Sequence, residues 1–287
     1  MKPNLSLLAI LVLFASCAKS QSNQQATSIV EPNSMIVAEE TIPFPSAISE
    51  TPTPKGYIRA GAPANSWAEY LRQLPLKPEG TPVYCYDSSK SYWTNSAYGV
   101  IDMEIGNQDL QQCADAIIRL RAEWLYQQKR YSDIHFKFTN GFNCEYLRYA
   151  KGERVRVQGN KTSWYQAASE DYSYKTFRKY LDLVFMYAGT ASLSHELHTA
   201  DMHDIQIGDI FMQGGHPGHA MLVIDMAQDS ITGDKAILVA QSYMPAQDIH
   251  IIAAMNKQPW FFVKDFLETG YINLRSWSFE LNNLMRF

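Results

Sequence analysis

The sequence predicts an α+β fold, with helices packed on one side of an antiparallel sheet. Three observations predict it. Cys113, Ile117, Leu120 and Trp124 recur at helical spacing and form one apolar stripe. Phe177, Leu181, Val184 and Phe185 repeat the pattern. The C-terminal third then turns mostly to short apolar runs, so helices come first and strands later along the chain.

The N-terminus stands outside that fold. Lys2 supplies a short positive start, Leu5 to Ala15 is an apolar run, and Ser16 and Cys17 follow. The run is shorter than the roughly 20 residues a membrane-spanning helix needs and suits the apolar part of a secretory signal. A small residue before a cysteine resembles the bacterial lipoprotein signal. That resemblance implies cleavage before Cys17 and lipidation of its thiol, although Phe14 stands where Leu is commoner. Residues 18–56 are rich in Ser, Gln, Thr, Pro and Ala and lack apolar periodicity, which predicts a disordered tether. About 40 flexible residues reach roughly 35 Å as a random coil. Residues 57–287 then form a single globular domain, long enough for one sizeable core. The net charge of −4 gives no electrostatic case for nucleic acid. With Cys17 lipidated, Cys85, Cys113 and Cys144 remain, too few for a disulfide-stapled scaffold.

Within the domain, residues 66–75 read as a short helix capped by Ser66 and stopped by Pro75. Residues 81–86 suit an edge strand, because Pro82 cannot donate to a ladder. Ile101, Met103 and Ile105 alternate with Asp102 and Glu104, the mark of a half-buried strand over 98–105. The helix that follows is expected to be capped by Asp109, with Gln112 three residues on. Arg119, Arg121 and Glu123 lie off its apolar stripe. Residues 134–138 alternate as a strand before an Asn140-Gly141 turn. Another helix ends near Gly189, and a shorter one spans 191–198. Strands follow over 209–213, 219–226, 235–241 and 247–252. The last 28 residues carry no clear periodicity.

The chemistry concentrates at residues 207–243. A hairpin centred near residues 230–232 pairs positions whose numbers sum to about 462, which sets His219 opposite residue 243 within a register error that includes Gln241 and Ser242. A histidine base needs a neighbour that fixes its tautomer, and an amide oxygen can do this. Gln241 is therefore the candidate orienter of His219. Gly214, Gly215 and Gly218 permit close backbone approach and, with Ser242, are candidate substrate-binding positions. A nucleophile would come from a cysteine near a helix start, where the free N–H groups favour a thiolate. Cys113 fits best. With Asp109 as the cap it already sits in the second turn, and its place on the apolar stripe equally suits a core residue. Cys144, in a loop-like stretch, is a second candidate, and Cys85 a weaker one.

Five histidines lie between 195 and 219, and His195-Glu196-Leu197-His198 is one residue short of the metalloprotease helix motif. A zinc-dependent hydrolase is thus an alternative, but no metal-ligand set and no cofactor is expected from the spacing.

Two resemblances add to this. DLQQCADAIIRLRAEWLY (109–126), GDIFMQGGHPGHAMLVIDMA (208–227) and AQSYMPAQDIHI (240–251) resemble a bacterial family known as domain of unknown function 4846, over roughly residues 56–287. Its name implies no activity. Gly208-Asp209 before an apolar strand and Gly218-His219 opening the next resemble the NlpC-type cell-wall cysteine peptidases, which have a papain-like fold. That likeness implies a Cys113, His219 and Gln241 triad, although the cysteine of those enzymes stands in an Asp-Cys-Ser context and here in Gln112-Cys113-Ala114. The expectation is a lipid-anchored envelope protein, exported to the periplasmic or cell-surface side, hydrolysing peptide or amide bonds of peptidoglycan. The competing expectation is an anchored module that binds an envelope glycan, peptide or partner without chemistry.

Overall fold

The computed structural model describes residues 43–254 and 256–287. The signal segment 1–17, lipidation at Cys17 and the tether over 18–42 lie outside the described residues. Among the described residues, nine strands join in one sheet whose pairs are all antiparallel. Its principal order is Ala97–Val100, His250–Ile252, Lys235–Gln241, His219–Asp229, Ile210–Gln213, Leu284–Arg286, His198–Thr199. Tyr57–Arg59 pairs with the far end of His219–Asp229, and Trp260–Phe262 with the start of Lys235–Gln241. The fold is α+β, with a large antiparallel sheet and few helices.

The sheet separates two cores. Ala220, Leu222, Ile224 and Leu238 face the helix Cys113–Gln127 on one side. Met221, Val223, Ile237 and Val239 face Phe266, Ile272 and Phe279 on the other. This is why His219–Asp229 reads as a near-continuous apolar run: a strand covered on both faces has no solvent side to mark with polar residues. The cover on the second face comes from the last residues of the chain, where the helix Val263–Thr269 and the hairpin Tyr271–Asn273/Ser278–Glu280 follow one another. Helices on one side describe only half of the architecture.

Other differences have local causes. The Cys113–Gln127 helix is capped by Gln112, not Asp109, with the Gln112 N–H held by Asp115. Asp109 instead accepts the Ala246 N–H at 2.6 Å. Twelve of the 15 residues of this helix are buried, Arg119 and Glu123 among them. The 98–105 strand shortens to Ala97–Val100, because the chain beyond it is drawn towards Arg119, which binds both the Glu104 carbonyl and its carboxylate. Residues 81–86 make isolated bridges at Tyr84 and Cys85 and no strand.

Residues 43–56 also depart from the tether assigned on composition. Ile48 and Thr51 are fully buried, the Ile48 N–H donates to the Leu74 carbonyl, and Pro52 accepts from the Trp260 indole at 2.7 Å. A segment poor in periodicity is ordered here because one isoleucine and a few backbone groups dock on surface that the rest of the chain leaves open. Two buried acids pin the layers: Asp225, in mid-strand, binds Arg59 and Arg72, and Asp209 binds Arg286 through both carboxylate oxygens.

Candidate active site

His219 opens its strand directly opposite Gln213. Side chains alternate along a strand, so His219, Gln241 and His250 share the sheet face opposite the central helix. The observed hairpin register pairs Ala240 with Leu222, a sum of 462, despite a bulge between Leu238 and Val239. That geometry brings His219 Nε2 to 2.9 Å from Gln241 Oε1. The Gln241 amide nitrogen lies 3.2 Å from His250 Nε2, and His250 Nδ1 lies 3.0 Å from the Asp248 carbonyl. Ser276 Oγ donates to Gln241 Oε1 at 2.8 Å.

The imidazole of His219 is nearly enclosed. Tyr243 and Trp277 flank it at ring-centroid distances of 4.8 and 5.1 Å, and Trp93 packs on Tyr243 at 5.2 Å. The Trp277 indole donates to Gln213. Burial pushes the His219 pKa down to about 4, against the opposing pull of the Gln241 hydrogen bond. It pushes His250 down to about 4 as well, although the Asp248 carbonyl opposes it. Both rings are therefore neutral near pH 7.

Cys113 is the first residue of its helix. It sits at the positive end of the dipole and not one turn inside it, as a cap at Asp109 would have set it. Its thiol faces the N–H groups of Ala114 and of Ala220, the residue after His219. Desolvation, with Asp115 adding to it, outweighs these donors and pushes the thiol up to about 11. Among the described residues no hydrogen bond joins the Cys113 sulfur to the His219 ring. The protonated thiol rests against the backbone N–H of Ala220, the residue after His219, while the alternation of the strand turns the His219 ring to the sheet face opposite the helix.

The flanking candidates have packing roles. Ser242 is fully buried; its one O–H donates to the Gln247 carbonyl at 2.8 Å and is shared with the Gln111 carbonyl at 3.3 Å, tying the strand end to the segment that leads into the helix. A side chain at Gly214 would meet Ser194 Oγ at 2.6 Å, and one at Gly218 would meet Thr190 Oγ1 at 2.4 Å. Those glycines admit the neighbouring Thr190–Leu193 helix. Gly215, at φ +102° and with open space where a side chain would stand, faces no such neighbour. Cys144 is fully buried, and burial pushes its thiol well above the ordinary range. Cys85, Cys113 and Cys144 are all free thiols. Among the described residues no three His, Cys, Asp or Glu side chains cluster as a metal-ligand set, and His195 and His198 stand on separate elements, a loop and a two-residue strand. A cavity of about 990 Å³ lies beside Trp260, Phe262, Phe266 and Tyr271, and none of Cys113, His219 or Gln241 lines it.

Sequence reasoning missed His250, Ser276 and Trp277. Starting a strand at residue 247 pairs Gln241 with Gln247, whereas the loop takes three further residues and the true partner is His250. Ser276 and Trp277 lie in the stretch without periodicity, and only their contacts reveal them. A family model described as a domain of unknown function (4846) matches residues 48–286. No curated protein and no solved structure matches the chain.

Proposed function

We propose a function for this chain, which belongs to the domain of unknown function 4846 family, from its own residues: a papain-like, NlpC-like cysteine hydrolase cleaving peptide or amide bonds of the cell wall. The observation that carries this reading is the His219–Gln241 hydrogen bond at the strand end where the central helix begins with a cysteine. An imidazole oriented by an amide, near a thiol in the first turn of a helix, is the set of groups that acyl transfer uses. The lipid anchor at Cys17 and the envelope location belong to the same proposal and rest on residues 1–17.

In the proposed reaction the Cys113 sulfur attacks the substrate carbonyl carbon while His219 Nδ1 takes the thiol proton. The N–H groups of the first helical turn, which have no partner within the helix, stabilise the oxyanion. Collapse breaks the C–N bond, and the imidazolium gives its proton to the departing amine. Water, deprotonated by His219, then attacks the thioester and releases the acid and the thiol. A thiol near 11 carries almost no resting thiolate, so attack is coupled to proton transfer and requires rotation of the sulfur towards the ring.

The test is labelling with a small thiol-reactive probe, followed by peptide mapping. Cys113 is expected to be the modified residue, with labelling lost in Cys113→Ala and slowed at least tenfold in His219→Ala. Absence of labelling in the native protein between pH 6 and 9 would overturn the hydrolase. The second reading, a non-catalytic envelope binding module, is favoured by the raised thiol and by the missing sulfur–imidazole hydrogen bond. It expects labelling of Cys113 to climb tenfold per pH unit up to about 11 and to ignore His219→Ala.

A further inference from the structure

The hydrogen-bond chain behind His219 has a direction, and one backbone group sets it. His250 Nδ1 lies 3.0 Å from the Asp248 carbonyl, which can only accept. His250 therefore carries its proton on Nδ1. With the ring neutral, its Nε2 is then an acceptor. The group facing that nitrogen must donate, so the amide of Gln241 turns its NH₂ to His250 at 3.2 Å and its oxygen to His219 at 2.9 Å. His219 must in turn donate from Nε2, and its Nδ1 is left with a lone pair.

The other contacts do not decide this. Ser276 bonds Gln241 Oε1 at 2.8 Å, but a hydroxyl donates or accepts, and with the amide reversed it could donate to the Leu274 carbonyl, 3.3 Å away. Tyr243 and Trp277 hold the plane of the His219 ring without distinguishing its nitrogens. With the amide reversed, His250 would need its proton on Nε2, and the bare Nδ1 would face the Asp248 oxygen.

We propose that His250, a buried residue that contacts neither thiol nor substrate, is a positioning residue: through Gln241 it holds His219 in the tautomer whose Nδ1 can accept a proton. The meaning of that tautomer for catalysis rests on the hydrolase reading, but the tautomer itself does not. His250 thereby extends a Cys-His-Gln site by a second imidazole that reads the polarity of one peptide carbonyl. The distances along the chain are ordinary, and all three side chains are nearly inaccessible, so water does not compete for either amide end.

The experiment is ¹⁵N NMR of the histidine rings in the full chain at pH 7.5. The native protein is expected to show His219 protonated on Nε2 and His250 protonated on Nδ1. The reverse assignment at either ring overturns the proposal without any variant. In His250→Phe the amide loses its acceptor, and His219 is expected to shift towards a mixture of tautomers. A folded His250→Phe with His219 still wholly protonated on Nε2 overturns it too. Probe labelling of the same two proteins separates the claims. A native protein that does not label but shows the stated ring assignments ends the hydrolase and keeps the positioning role. One that labels at Cys113 with reversed assignments does the opposite.

Discussion

At the scale of single residues, the two enclosed imidazoles make stability depend on acid. Burial holds both pKa values near 4, below the value of about 6.5 for an unfolded chain. Between those values the unfolded chain binds more protons than the native one. Stability is therefore fully present above pH 6.5, falls as pH drops towards 4, and stops responding to these groups below that. Each ring accounts for roughly 3 kcal/mol across the window at about 1.4 kcal/mol per unit. The expected result for His250→Phe is a shallower dependence of unfolding free energy on pH between 6.5 and 4, by about one proton. Denaturant melts at four or five pH values measure it, with the His219 titration followed by NMR in both proteins because His250 bears on that ring too. An unchanged slope would contradict a neutral, buried ring. His219 and Gln241 were legible as a pair because strand alternation and a short hairpin fix register within a residue or two. His250 was not, because an eight-residue connection, 242–249, separates it from Gln241 and no local rule counts across such a loop.

At the scale of elements, the central helix shows what an apolar stripe conceals. Cys113, Ile117, Leu120 and Trp124 identified the helix and its inner face correctly. The stripe could not say that the outer face is covered too, since a polar row pointing to water and one enclosed by another segment look the same in sequence. Here Arg119 joins Glu123 at 2.7 Å, Gln111 at 2.9 Å and Tyr174 at 3.1 Å. The arginine grips the segment just before the nucleophile candidate from two turns along the helix. Arg119→Ala would leave the Glu123 carboxylate buried without a counter-charge, held by the Tyr174 hydroxyl alone at 2.7 Å, with an expected loss of about 3–5 kcal/mol. Arg119→Met, with Glu123→Gln to remove the charge, is expected to recover much of it. Chemical denaturation of the three proteins checks this, and a cost below about 1 kcal/mol for Arg119→Ala would mean that the pair is solvated. The helix start was misplaced by three residues for a related reason: Asp109 looked like a cap, but its carboxylate is occupied by Ala246 from the connection between Lys235–Gln241 and His250–Ile252.

At the scale of the whole molecule, composition located the domain but set its edge too late. Ser- and Pro-rich sequence continues to about residue 56, yet Ile48 is fully buried and the Pro52 carbonyl holds Trp260. A chain beginning at residue 57 is expected to be less stable than one beginning at residue 43, losing as much as or more than Ile48→Ala, for which a cavity of this kind costs about 2–5 kcal/mol. Equal stability of the two would show that residues 43–56 rest on the surface without supporting it. The second face of the sheet stayed hidden for a different reason. Its cover is a short helix and a hairpin of two three-residue strands, elements too brief to display a period, and their apolar residues become meaningful only against the strand they touch.

The stitch between Ser242 and Gln111 spans 131 positions of chain. A thiol at the head of one element and an imidazole on a strand more than a hundred residues later come to the same end of the fold only once the chain between them has collapsed, and contacts of such long sequence separation form slowly. Because synthesis proceeds from the N-terminus, the cysteine emerges well before the histidine. A chain stalled midway would display a sulfhydryl without its candidate base.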